Sequence, residues 1–136
     1  MSVEAPEFLQ SHSMKYLEMA FRTDRMEPPE RVDGQAEQTG DCGDSISMSV
    51  ALKGDRVIAV RFTVNGCLNT VACANAVGEM AEGRAVSDAW EIRPEDVAAF
   101  LETLPEDHFH CAELAVGAFY RALADSQRNP WKGAYR

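Results

Sequence analysis

Ser45-Ile46-Ser47-Met48-Ser49-Val50-Ala51-Leu52-Lys53-Gly54-Asp55-Arg56-Val57-Ile58-Ala59-Val60-Arg61-Phe62-Thr63-Val64 is the stretch that decides the fold of this chain. Ile46, Met48, Val50 and Leu52 alternate with Ser45, Ser47, Ser49 and Ala51, the period of a strand with one buried face. Ile58, Val60, Phe62 and Val64 alternate in the same way with Val57, Ala59, Arg61 and Thr63, and Lys53-Gly54-Asp55-Arg56 between the two runs is a turn signal. The reading is an antiparallel hairpin. Matching the two apolar sets requires paired residue numbers that sum to 108 or 110, so Cys42 falls opposite Gly66 or Leu68, one residue from Cys67, if the ladder continues that far. Two thiols then sit at the open end of the hairpin.

On the C-terminal side the period changes. Cys73, Ala76, Val77, Met80 and Ala81 fall at helical spacing within Leu68–Ala81, and Gly83 stands where a helix C-terminal cap would. Pro94 opens a short helix reaching about Thr103, with Glu95 and Asp96 beside the positive end of its dipole. Cys111, Leu114, Ala115, Ala118, Phe119, Ala122 and Leu123 recur at i, i+3, i+4, i+7, i+8, i+11 and i+12, the core stripe of a long last helix. On the N-terminal side, residues 8–22 fit an amphipathic helix loosely, and Arg22 to Asp41, polar with Pro28-Pro29, Gly34 and Gly40, reads as a long loop. The expectation is one α+β domain over residues 1–136, a small antiparallel sheet with helices on one face. It divides into an N-terminal helix and loop at 1–39, a core at 40–126 and a tail at 127–136.

Composition narrows the function. The chain has 136 residues, 46% hydrophobic and 26% charged, which suits a folded domain with a sizeable core. Its net charge of −9 would repel a phosphate backbone, so nucleic acid is not an expected partner. Nine acids and two arginines lie between Glu79 and Asp107, which reads as a solvated face, whereas residues 121–136 carry four basic groups and one acid. No apolar run approaches the roughly 20 residues that span a bilayer, and Met1 to Glu7 lack an export pattern, so a cytoplasmic protein with no membrane contact is expected.

That leaves the four cysteines, Cys42, Cys67, Cys73 and Cys111, as thiols or metal ligands rather than disulfides. Cys67 precedes a helix and Cys111 begins one, positions at which unpaired N–H groups and the dipole favour thiolate. Asp44 lies two residues after Cys42, and alternation along an extended chain would point both the same way. Three thiolates with one oxygen or imidazole ligand suit Zn²⁺ or an iron–sulfur cluster, although spacings of 25, 6 and 38 residues match no paired-cysteine motif. Cys73, mid-helix among alanines, reads as packing, and Cys111 reads equally as packing or as a ligand. His108 reads as a solvated loop residue; His110 is open between capping a helix and binding metal.

Taken in order, Gly40-Asp41-Cys42-Gly43-Asp44, Phe62-Thr63-Val64-Asn65-Gly66-Cys67 and His110-Cys111-Ala112-Glu113-Leu114-Ala115 resemble the IscU/NifU N-terminal family, from about Gly40 to Asp125. The resemblance implies an iron–sulfur cluster assembly scaffold with Cys42, Cys67 and Cys111 as cluster cysteines and Asp44 and His110 as auxiliary polar residues. It implies a cysteine desulfurase as sulfur donor, iron, a transient [2Fe–2S] cluster and apo iron–sulfur proteins as acceptors, on a platform that is not itself an enzyme and is a monomer or weak homodimer. Zn²⁺ held by the same residues, in a persulfide relay, is the alternative. Leu104-Pro105-Glu106-Asp107-His108 stands where relatives carry the Leu-Pro-Pro-Val-Lys segment read by a dedicated Hsp70 chaperone, which argues against that partner. Thr23 to Pro29 likewise replaces the usual Asn-Pro-Arg stretch.

Overall fold

The computed structural model describes residues 10–128. Ser45–Lys53 (β2) and Arg56–Asn65 (β3) form the expected hairpin around Gly54-Asp55, with Gly54 at φ +62°. The register follows the sum of 110 from Ser45↔Asn65 to Ala51↔Ala59, then slips by one residue between Ala51 and Leu52. That irregularity corrects the expected facing of β3. Val57 is turned into the core and Ile58 is left 47% exposed, because an extra residue on one strand shifts the alternation.

The long loop expected from Arg22 to Asp41 is also corrected, and with it the division at residue 39. Gly34–Thr39 is a strand (β1), antiparallel to β2, giving the sheet order β1-β2-β3. No large apolar residue marks it, because its inward residues touch a helix backbone rather than filling a core. A Cβ at Gly34 would lie 2.1 Å from the carbonyl oxygen of Ala122 and 2.6 Å from the amide nitrogen of Ser126. Before β1, a 3₁₀ turn at Asp24–Met26 packs by β3, so the Pro28-Pro29 segment must cross the solvent-facing side of the sheet to reach β1.

The helices are Met14–Phe21 (α1), Leu68–Ala81 (α2), the single turn Val86–Ala89 (α3), Pro94–Leu101 (α4) and Phe109–Arg128 (α5), with a 3₁₀ turn at Glu106–His108. Ser13 caps α1 through the Tyr16 amide, and residues 8–9 of the expected helix lie outside the described residues. Every member of the α5 stripe is buried; β2, which carries Ile46, Met48 and Val50, packs against α5, and β3, which carries Val60 and Phe62, packs against α2. Burying such side chains is worth roughly 1.5–3 kcal/mol each, which is why the two periodic segments find each other.

Three groups of polar residues complete the frame. Arg25, 2% exposed, bonds Glu79 (3.0 Å), Glu82 (2.7 Å) and Asn75 (3.3 Å). Two of the acids expected on a solvated face are therefore occupied in neutralising a buried cation at the negative end of α2. The outward amide of Val60 on β3 donates to Glu82 Oε2 (2.9 Å), and that of Gln35 on β1 to Asp125 Oδ2 (3.0 Å). Segment 83–86 binds the beginning of the β3 edge through Val57 and an Arg56↔Ala85 bridge. Among the described residues no helix is long and apolar enough to cross a membrane.

Candidate metal centre

The open end of the hairpin delivers its residues from three directions. Cys67 is the N-cap of α2, with extended backbone and no side-chain cap bond of its own. Asp44, at the start of β2, supplies the cap: its Oδ2 accepts from the Cys67 amide (3.2 Å) and from the Thr70 hydroxyl (2.7 Å). Gly66 makes room, since a Cβ there would lie 2.4 Å from Asp44 Cγ. The Thr70 hydroxyl and then the Cys67 amide hold the Asp44 carboxyl below its ordinary range.

Cys111 arrives in the first turn of α5, fully buried, with Sγ 3.4 Å from Thr70 Oγ1 and 3.9 Å from His108 Nδ1. Cys67 Sγ lies 3.5 Å from the same Thr70 oxygen. One ligand atom from each of Cys67, His108 and Cys111 lies within 4.8 Å of the others. Two sulfurs and an imidazole nitrogen at that spacing are the donor set of a soft or borderline metal ion, and the residues fit such cargo.

Several expectations change here. His108 is half-buried and belongs to the cluster, because the 3₁₀ turn sets it one helical turn before Cys111. Cys111 does not favour thiolate without metal: burial pushes its thiol up to about 12, and the Thr70 hydroxyl only partly offsets this. Cys42 and Asp44 are not aligned along an extended chain, because Gly43 at φ +92° turns the backbone between them. Cys42 is exposed and borders an open depression with Asp41, His110 and Glu113, beside the cluster rather than in it. Cys73 is packed in the core, where burial raises its thiol well above the ordinary value.

Two further residues escaped sequence reasoning. Thr70 touches Asp44, Cys67 and Cys111 at once, and Tyr16 donates to Asn69 Oδ1 (2.5 Å) beside the cluster. A signal existed for Thr70 and His108. Cys67/Thr70 and His108/Cys111 are both i, i+3 pairs, the spacing that puts two side chains on one face.

The fold and the site define a class, an α+β domain whose helix starts bring two thiols and an imidazole together at the open end of a hairpin. Residues 24–132 match the model of the NifU-like N terminal domain, and the chain belongs to that family. An iron–sulfur cluster assembly scaffold protein IscU 1 of Archaeoglobus fulgidus is 33% identical over 91 residues, 67% of this chain and 60% of that protein. The scaffold protein IscU of Rickettsia prowazekii is 34% identical over 85 residues, 62% of this chain and 64% of that protein. The chain thus spans about three fifths of the length of these curated relatives. The crystal structure of a nitrogen-fixing NifU-like protein (N-terminal) from Brucella abortus superposes with a TM-score of 0.71 at 12% identity, covering 90% of this chain and 99% of that one, a likeness of fold.

Proposed function

We propose that this protein is a scaffold for iron–sulfur cluster assembly, with iron and sulfide as its cargo. The observation that carries the reading is the meeting of Cys67, His108 and Cys111 within 4.8 Å at the starts of two helices. Cys67 and Cys111 hold the cargo, Cys42 joins from the exposed turn, and His108 supplies the imidazole. His110 and Asp41 line the approach.

A cysteine desulfurase hands persulfide sulfur to one of the thiolates; ferrous iron, giving one electron each, and an external thiol that leaves as its disulfide reduce two such sulfurs to sulfide, a [2Fe–2S] cluster forms and an apo-protein takes it away. The chain is a cytoplasmic platform with no turnover of its own. A site with a mixed donor set suits that work, because the cargo must be held and then surrendered.

Anaerobic reconstitution with ferrous iron, cysteine and a desulfurase tests the reading, followed by visible and Mössbauer spectroscopy and metal analysis. The expected result is a [2Fe–2S] spectrum that disappears in the Cys42→Ser, Cys67→Ser and Cys111→Ser variants and moves to an apo-ferredoxin. Stoichiometric zinc with no cluster under the same conditions would replace it with the zinc-bound persulfide relay.

A further inference from the structure

Of the large apolar side chains in the hairpin, Ile58 is the one the fold leaves in water, 47% exposed. The slip in register between Ala51 and Leu52 puts it there, since a bulge re-aims a side chain while the strands stay paired. Ile58 joins Pro29, Ala51 and Ala59 in lining a depression of about 190 Å³ on the outer face of the sheet, at the turn end of the hairpin. An isoleucine in water adds little to the fold, so its chemistry is available for contact with another molecule.

The charge around Ile58 reverses that of the chain. Arg31 and Arg61 border the depression, and Lys53 and Arg56 face each other across the last rung of the ladder beside it, four cations against the carboxylates of Glu30 and Asp55. The whole chain has 13 basic residues against 22 acids. Lys53 has no partner among the described residues, and Arg61 lies 3.8 Å from Glu82, a carboxylate already shared by Arg25 and the Val60 amide. The adjoining edge of β3 is taken by segment 83–86, so this corner offers side chains rather than a strand to extend.

We propose that this outer corner of the sheet docks an acidic segment of a partner protein, one apolar side chain of which packs on Ile58 while the carboxylates beside it meet Arg31, Lys53, Arg56 and Arg61. The patch is small, so the contact is weak and sensitive to salt. It lies at the opposite end of the hairpin from Cys67, so a partner held here leaves the thiols uncovered. Docking at this corner does not depend on what the metal site carries.

The test is fluorescence anisotropy with a labelled synthetic peptide, a central leucine between runs of aspartate and glutamate, titrated with the full chain. The parent is expected to bind with a Kd on the order of 100 μM at low salt and more weakly at about 0.3 M salt. Ile58→Ser and Lys53→Glu should each weaken binding roughly fivefold. A peptide with serine in place of the leucine should bind parent and Ile58→Ser alike, because the apolar contact is then missing from both sides of the cycle. Ile58→Ser should keep the urea midpoint of the parent and the absorption spectrum of the Co²⁺-loaded chain, and in the ¹⁵N-labelled parent the amide shifts caused by the peptide should centre on Ala51, Ile58 and Ala59. Equal affinity of parent and Ile58→Ser for the leucine peptide, equal affinity for a lysine-rich counterpart, or shifts centred on α2 and α5 would overturn the proposal. So would a dimer of the parent that Ile58→Ser dissolves in sedimentation equilibrium, which would assign this corner to a second copy of the chain.

Discussion

The two ends of α2 bury polar groups to opposite purposes. At the C-terminal end Arg25 meets Glu79, Glu82 and Asn75, and Glu82 goes on to hold an amide of β3. Cation and anions answer one another there, and the group ties the N-terminal segment to helix and sheet. At the N-terminal end one carboxylate and one hydroxyl are shared among an amide and two thiols, and the sulfurs face an imidazole across less than 4.8 Å. Charges that satisfy each other make structure, while two thiols and an imidazole brought together make a candidate metal site.

The contrast can be broken from either end. Cys67→Ser is expected to weaken Zn²⁺ binding by on the order of 100-fold while moving the unfolding free energy by less than about 1 kcal/mol, read by chelator competition and urea denaturation. Arg25→Ala should do the reverse, costing about 3 kcal/mol of stability because two acids lose a buried partner, with metal affinity unchanged. A large loss of metal binding in Arg25→Ala would show the two ends of α2 to be one unit. Gly66→Ala is the finer probe. Its Cβ must displace the Asp44 carboxylate, so the α2 cap should weaken by about 1 kcal/mol and the cobalt spectrum should change with it.

The pH dependence has a definite sign. The Cys111 and Cys73 thiols are raised in the folded chain, so their contribution to stability is complete below the ordinary thiol range, about 8.5, and is lost as pH rises above it, for Cys111 on the way to about 12. Denaturation of the metal-free chain should show stability falling on the alkaline side, and Cys111→Ala should flatten the fall. Asp44 acts in the other direction. Its lowered carboxyl contributes above about pH 4 and ceases to as pH drops through its folded value, so Asp44→Ala and parent should converge in acid. The smallest effect belongs to Ile58→Ser, within about 0.5 kcal/mol, because the slip in register has already placed Ile58 in water.

The hairpin, α2 and α5 were legible because their apolar periods coincide with faces that are buried. β1 was not, since a strand of Gly34, Ala36 and Gln38 that presses against a helix backbone leaves no apolar signature. Ile58 was misfaced because a bulge is a property of two strands together, and nothing in either run marks it. At the site, Cys67 and Cys111 could be placed from local signals, at the start of a helix in each case. His108 and Thr70 became visible only when two helix starts met in space. Cys42 and Asp44 were separated by the one glycine whose positive φ ends the extended run.

The carboxylates on the sheet margins have a consequence for strand pairing between molecules. Glu82 and Asp125 each occupy an outward N–H of an outer strand, and a carboxylate can only accept, so it refuses the carbonyl that an incoming chain would offer next to it. An incoming strand would have to displace these carboxylates before it could pair at Gln35 or Val60. Edge-to-edge pairing of the sheet is thereby made costlier at both of its margins.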